Sequence, residues 1–176
     1  MRGGLSRIDV ETGSVQTFRH DPSDRNSLAA NGVMSLMQDR AGSIWVGTFG
    51  GGVSRLDPKS GEFENFQHDP EDTSTLSSPR ATALAQDKDG VIWVGTDDGN
   101  VQLTRDGGHH WTNVRANVPN VPEGIWVSRV EASHFSSSRA YLAFDGHRSD
   151  MNQPWLFVTD DFGKAWKSLS DGLPGN

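Results

Sequence analysis

Ile44-Trp45-Val46-Gly47-Thr48 recurs unchanged as Ile92-Trp93-Val94-Gly95-Thr96, 48 residues further along the chain. The register holds on both sides of the pentapeptide. Leu36, Gln38, Asp39 and Gly42 answer to Leu84, Gln86, Asp87 and Gly90. Upstream, Gly3-Gly4 and Ser6-Arg7 answer to Gly51-Gly52 and Ser54-Arg55. Asp9, Phe18 and His20-Asp21-Pro22 match Asp57, Phe66 and His68-Asp69-Pro70. Self-similarity of this length and period means one supersecondary unit stacked on copies of itself. The pentapeptide is β-branched and aromatic and ends on small residues, as a strand does.

Working outward, residues 3–9, Val15 to Phe18, Val33 to Asp39, Ile44 to Thr48, Val53 to Asp57 and Phe63 to Phe66 read as strands. Turns at Glu11-Thr12-Gly13, Arg40-Ala41-Gly42, Gly50-Gly51-Gly52 and Lys59-Ser60-Gly61 separate several of them. One period is therefore four short strands joined by hairpins, then a longer polar link. Four antiparallel strands in a repeat of roughly 40 to 50 residues is the signature of a propeller blade. The first strands, Val33 to Met37 and Ala81 to Ala85, do not alternate cleanly between apolar and polar. That fits inner strands buried on both faces between neighbouring blades, a short helix being the alternative.

Beyond Thr96 a second pattern takes over. Thr104-Arg105-Asp106-Gly107-Gly108-His109-His110-Trp111 returns 55 residues later as Thr159-Asp160-Asp161-Phe162-Gly163-Lys164-Ala165-Trp166. Between the copies lie strands at Trp126 to Glu131, Ala140 to Phe144 and Trp155 to Thr159. The expected fold is all-β: a β-propeller segment of about three and a half four-stranded antiparallel blades forming an open arc. Residues 1–176 form the one segment, with an outer half-blade over 1–22 and blades over 33–68, 81–114 and 126–170. A chain that opens on the outer strands of a blade reads as a fragment of a larger propeller. Its uncovered blade edges imply self-association.

Composition agrees with many short strands and many turns: 34% hydrophobic residues and 20 glycines. A net charge of −7 without a basic cluster argues against a nucleic-acid partner. The absence of cysteine excludes disulfides and thiolate metal sites. No apolar run is long enough to span a bilayer, so no membrane contact is expected within the segment. Met1-Arg2-Gly3-Gly4 is not a signal peptide.

Residues 3–96 resemble the two-component regulator propeller repeats. The residues concerned are Asp39-x-x-Gly42-x-Ile44-Trp45-Val46-Gly47-Thr48, then Gly51-Gly52-Val53-x-Arg55-Leu56-Asp57. The connectors His20-Asp21-Pro22-x-Asp24-x-x-Ser27-Leu28 and His68-Asp69-Pro70-x-Asp72-x-x-Thr75-Leu76 belong to the same likeness. It implies a sensor module of a two-component system, periplasmic or extracellular in the full-length protein. Residues 92–170 are similar to the Asp-box, or BNR, repeats of the sortilin and xyloglucanase-like propellers. Here Ser/Thr-x-Asp-x-Gly-x-x-Trp fits both copies. That likeness implies a role in carbohydrate or protein binding, or a glycoside hydrolase.

The Asp-box residues Thr104, Asp106, Gly108, Trp111, Thr159, Asp161, Gly163 and Trp166 read as structural. The Asp accepts turn N–H groups, the Gly takes a positive φ and the Trp covers the hairpin. His20 and His68 lack metal-ligand spacing and read as turn caps, so no metal site and no cofactor are expected. Asp97, Asp98 and Asp145 are the acids open to glycosidase chemistry, which needs a facing carboxylate pair. A sialidase would need an arginine cluster with a tyrosine. Arg80, Arg129, Arg139 and Arg148 are available, but Tyr141, mid-strand among apolar neighbours, reads as core. No catalytic residue is assigned. The candidate ligand site is the loop Asp145, His147, Arg148 and Asp150, with Trp126 and Trp155 as flat faces for a sugar. The expected function is non-catalytic binding of a ligand, carbohydrate or another protein; part of an Asp-box glycoside hydrolase is the alternative.

Overall fold

The computed structural model describes residues 3–173. Met1-Arg2, where the expected half-blade begins, and residues 174–176 lie outside them. The first sheet has two strands, β1 (Leu5–Ile8) and β2 (Val15–Phe18). The second has four: β3 (Val33–Gln38), β4 (Ile44–Thr48), β5 (Val53–Leu56) and β6 (Phe63–Phe66). The third has β7 (Ala81–Gln86), β8 (Ile92–Thr96), β9 (Val101–Thr104) and β10 (Thr112–Asn113). The fourth has β11 (Trp126–Ala132), β12 (Ala140–Asp145), β13 (Trp155–Thr159) and β14 (Lys167–Ser168). Within each sheet the strands pair antiparallel in sequence order. Helix among the described residues is limited to two three-residue 3-10 turns, Arg115–Asn117 and His147–Ser149. The all-β expectation holds.

The sequence repeat becomes a repeat of register. Val46 faces Leu36 and Ser54, and Val94 faces Leu84 and Gln102. Each inner strand carries an irregularity near its start, at Val33/Ser35, Ala81/Ala83 and Val127/Arg129. Such a bulge adds local twist. Gly52 shows why the hairpin after β4 needs glycine. Its φ is +73°, and a Cβ there would lie 2.4 Å from the Phe66 carbonyl oxygen.

Three apolar clusters form three seams, one between each consecutive pair of sheets. Leu5 and Phe18 of the first sheet meet Val46, Leu56 and Phe63 of the second, with Phe18 edge-on to Phe63 at 5.5 Å. Trp45, Val53 and Phe66 of the second meet Ala81, Ile92, Val94 and Trp111 of the third. Trp93, Val101, Leu103 and Val114 of the third meet Val127, Leu142, Phe157 and Trp166 of the fourth. Trp45 and Trp93 are fully buried in their seams, where aromatic rings supply the largest burial per residue. Trp45 stacks on Phe66 at 5.5 Å, and Trp93 meets Trp166 edge-on at 6.3 Å.

Two expectations need correction. Inner strand β7 is not buried on both faces. Ala81, Ala83 and Ala85 are buried while Thr82, Leu84 and Gln86 are half-exposed. Ala83 and Ala85 enter the seam with the fourth sheet, while Leu84 lies against the seam with the second and is only partly covered there. It is β8 that is buried throughout. Tyr141 is not core but 37% exposed. It pairs across to Glu131 and Val158 as Trp93 pairs to Ala85 and Leu103, so it holds the tryptophan position of its sheet. Among the described residues no further sheet packs on that face of the fourth sheet.

Candidate functional site

The end of the molecule where the inner strands begin carries a rim of equivalent positions. The residue after the second strand is Phe49 in the second sheet and Asp97 in the third; its counterpart in the fourth is Asp145. The residue before the inner strand is Gly32, then Arg80, with Trp126 as counterpart in the fourth sheet. Phe49 donates its N–H to the Gly32 carbonyl at 2.7 Å, and Asp97 to the Arg80 carbonyl at 3.2 Å. The backbone is thus the same while the side chains differ.

Those side chains interlock from sheet to sheet. Arg80 donates to Asp97 Oδ2 at 2.9 Å, and its guanidinium lies 4.5 Å from the centre of the exposed Phe49 ring. Asp97 also accepts from Ser78 Oγ at 2.9 Å. Asp98 accepts from Thr96 Oγ1 and Asn100 Nδ2. In the fourth sheet Arg148 covers Trp126, with its guanidinium carbon 3.6 Å from the ring centroid. Asp145 accepts the His147 backbone N–H at 2.8 Å, a local bond two residues along that leads into the 3-10 turn, whose N-cap is Gly146. Asp150 closes that turn with a left-handed φ of 54°. Asp145, His147, Arg148 and Trp126 are therefore gathered on one rim.

Trp155 is the exception. It is buried against the third sheet's seam, and a Cβ on Gly146 would come within 2.5 Å of its ring. It anchors the loop from below and offers no face to a sugar. The arginines do not cluster: Arg80 pairs with Asp97, Arg129 with Glu131, Arg139 with Asp160, and Arg148 stacks.

Beside the rim runs a groove of about 770 Å³ between the β8–β9 turn and the link into β11. It is lined by Asp98, Asn100, Asn113, Arg115 and Glu123. Asn113 Nδ2 donates to Asn100 Oδ1 at 2.9 Å. Arg115 ties the link down through the Val121 carbonyl at 2.7 Å and lies 5.3 Å from the Phe144 ring centre. Burial pulls its guanidinium below the usual arginine range. Adjacent amides and carboxylates of this kind suit hydroxyl-rich or peptide ligands, which need both donors and acceptors. Of this lining, the sequence singles out Asp98 alone. The others sit in a turn, a two-residue strand and a link with no repeat counterpart to draw notice.

The two Thr-x-Asp-x-Gly-x-x-Trp turns lie at the outer strands. Thr104 Oγ1 donates to Asp106 Oδ1 at 2.8 Å, and the Gly108 and His110 N–H groups donate to Thr104 Oγ1 and Asp106 Oδ1, both at 3.0 Å. Thr159, Asp161, Gly163 and Ala165 repeat the pattern at 2.8, 2.9 and 2.9 Å. Gly108 and Gly163 take φ of +106° and +79°, and Trp111 and Trp166 are buried beneath. Donated N–H groups, led by those of His110 and Ala165, hold both aspartates below the usual carboxylate range. His20 and His68 each set Nδ1 against a connector carbonyl, Leu28 at 2.9 Å and Leu76 at 2.6 Å. Among the described residues no three His, Cys, Asp or Glu side chains stand close enough to hold a metal ion. No helix there is long and apolar enough to cross a membrane.

Comparison with known proteins bears on this arrangement of stacked sheets. The extracellular domain of the hybrid two-component system BT3049 from B. thetaiotaomicron superposes with a TM-score of 0.73 at 18% identity, over 97% of this chain and 22% of that one. The fold is that of a β-propeller. The GH74 xyloglucanase from Xanthomonas campestris matches with a TM-score of 0.60 at 15% identity, over 96% of this chain and 24% of its own. YCF48, solved bound to a D1 peptide, matches at 0.59 and 15% identity, over 87% of this chain and 45% of its own. The chain thus spans about a quarter or less of the first two proteins. The two-component regulator propeller family matches residues 27–50 and 75–98. No curated protein matches the chain.

Proposed function

We propose that this propeller segment is a non-catalytic binding module of an extracytoplasmic sensor in a two-component system. The supporting observation is the family match at 27–50 and again at 75–98, the same phase of two successive repeats. The likeness to an extracellular two-component domain points the same way. The ligand would sit on the rim and in the adjoining groove, reached by Phe49, Trp126, Asp98, Asn100 and Asn113. Carbohydrate or an extended peptide suits this lining. The carboxylates of the rim favour binding over hydrolysis. Asp97 is held by Arg80 and Ser78, Asp98 by Thr96 and Asn100, and Asp145 by its own turn. A hydrolase would need a facing acid pair free for proton transfer and attack. The outer Thr-x-Asp-x-Gly-x-x-Trp turns serve as Asp-box locks in this reading and take no part in binding.

Calorimetric titration with plant cell-wall oligosaccharides tests the site. Binding should be lost in Asn100→Ala with Asn113→Ala, and weakened in Trp126→Ala. Equal affinity in wild type and these variants would remove the rim and groove from consideration.

A further inference from the structure

The two aromatic rings of the rim are each covered by an arginine, and the two arginines differ in what they hold. Arg80 lies over Phe49 and donates to Asp97 Oδ2, a carboxylate that Ser78 also holds. Arg148 lies closer over Trp126, with its guanidinium carbon 3.6 Å from the ring centroid. Among the described residues Arg148 has neither an ion-pair partner nor a hydrogen-bond acceptor, whereas Arg80, Arg129 and Arg139 each have a carboxylate. Carboxylates are present on the same short turn, at Asp145 and Asp150. Asp145 turns back to the His147 N–H, and neither acid pairs with the guanidinium.

The turn fixes where Arg148 stands. The Gly146 carbonyl accepts the Ser149 and Met151 N–H groups at 2.8 and 3.1 Å. Met151 then packs on the cluster between the third and fourth sheets. A guanidinium laid on an indole keeps its N–H donors in its own plane, at the edge of the stack. Those donors match the two oxygens of a carboxylate, and a side chain already held on a fixed turn loses little freedom in making that contact.

The adjoining groove sets the other end of the ligand. Its lining reaches Glu123 and Gly124, and Trp126 follows two residues later. It offers the carboxylates of Asp98 and Glu123 beside the amides of Asn100 and Asn113. Its one cation, Arg115, donates instead to the Val118, Val121 and Pro122 carbonyls. The groove therefore repels a second acid and suits hydroxyl groups.

Resting on the binding role proposed above, we infer that Arg148 selects a ligand with a single terminal carboxylate: an oligosaccharide that ends in one uronic acid and runs on as neutral sugar into the groove. Trp126 is the positioning residue, because it backs the guanidinium and aims its fork outward.

Calorimetric titration tests this with two probes, xylotriose and the same trisaccharide carrying one glucuronate at its non-reducing end. At low salt, wild type should hold the acidic probe about tenfold more tightly. Added salt should shrink that preference, as it screens an exposed pair of charges. Arg148→Gln should bind both probes equally, with the wild-type affinity for xylotriose, which also shows that the variant is folded. Arg148→Lys should keep part of the preference, since it retains the charge without the fork. Equal affinity of wild type for the two probes, or a preference that survives in Arg148→Gln, would overturn the inference and leave the binding role standing. Failure of wild type to bind either probe would overturn both.

Discussion

Asp39 and Asp87 hold the same turn in consecutive sheets, each through two accepted bonds of which one is shared. Asp39 takes the Ser43 N–H on Oδ1 at 2.9 Å and the Trp45 indole N–H on Oδ2 at 2.8 Å. Asp87 takes the Asp89 and Val91 N–H groups on Oδ1, but its Oδ2 and the Trp93 indole N–H have no partner. Asp87 is 1% exposed, and burial pushes its carboxyl above the usual range. A group whose folded pKa is raised costs stability once the pH exceeds its unfolded value. Asp87→Asn should therefore gain on wild type as the pH rises through the carboxylate range, from about 4 upward, and show no such gain below it. Urea unfolding at several pH values reads that difference directly. Asp39→Asn should instead cost about 1 to 3 kcal/mol at neutral pH, since it disturbs a satisfied pair between the half-buried carboxylate and the buried Trp45 indole. Thr159→Ala should cost a similar amount, about 1 to 3 kcal/mol, by unpairing the Gly163 N–H and Asp161 together.

Among elements, the second strands carry the sharpest contrast. Trp45→Ala and Trp93→Ala should each cost about 3 to 5 kcal/mol, the range for emptying a large aromatic site. Tyr141→Ala, at the same strand position one sheet on, should change stability by only about 0.5 kcal/mol, as exposed substitutions do. Equal losses at all three in thermal or denaturant melts would mean that Tyr141 is covered after all. This contrast also marks where the sequence stops being legible. The 48-residue identity specifies strand, register and a buried tryptophan, because each comes from one unit stacked on the next. Tyr141 sits among the same apolar neighbours, but the cover over a strand face comes from the adjoining sheet, which the strand's own residues do not encode. The failure at Trp155 has a like cause. Its alternation with Leu156 assigns opposite faces but does not say which face meets the seam.

Across the whole molecule, stability should be graded. The first sheet has two strands, most of whose residues are exposed, and two-stranded sheets are marginal on their own. The seam between the third and fourth sheets gathers the largest buried cluster. Amide exchange should therefore be fastest in β1 and β2 and slowest in β8 and β12, in the manner of partial unfolding units. Uniform protection along the chain would contradict the separate seams. At this scale the fold is almost wholly legible in the sequence, since turn glycines, strand runs and the repeat agree with one another. The site is legible only in part. Asp145, His147, Arg148 and Trp126 stand out through an unusual density of charge and aromatic rings. Asn100, Asn113 and Glu123 do not, because a groove between links is made by packing and leaves no local pattern.

The crossing of Trp93 and Trp166, 6.3 Å apart at 80°, has an optical consequence. Two indoles this close and this steeply inclined couple their electronic transitions, and the seam that holds them fixes their angle. Their signature is a paired band of opposite signs in circular dichroism, which tracks the third seam by itself. Trp126, half-exposed beneath a guanidinium, lies outside this pair and emits from a different environment. The coupled pair therefore gives the unlabelled protein a spectral reporter for the joint between the third and fourth sheets.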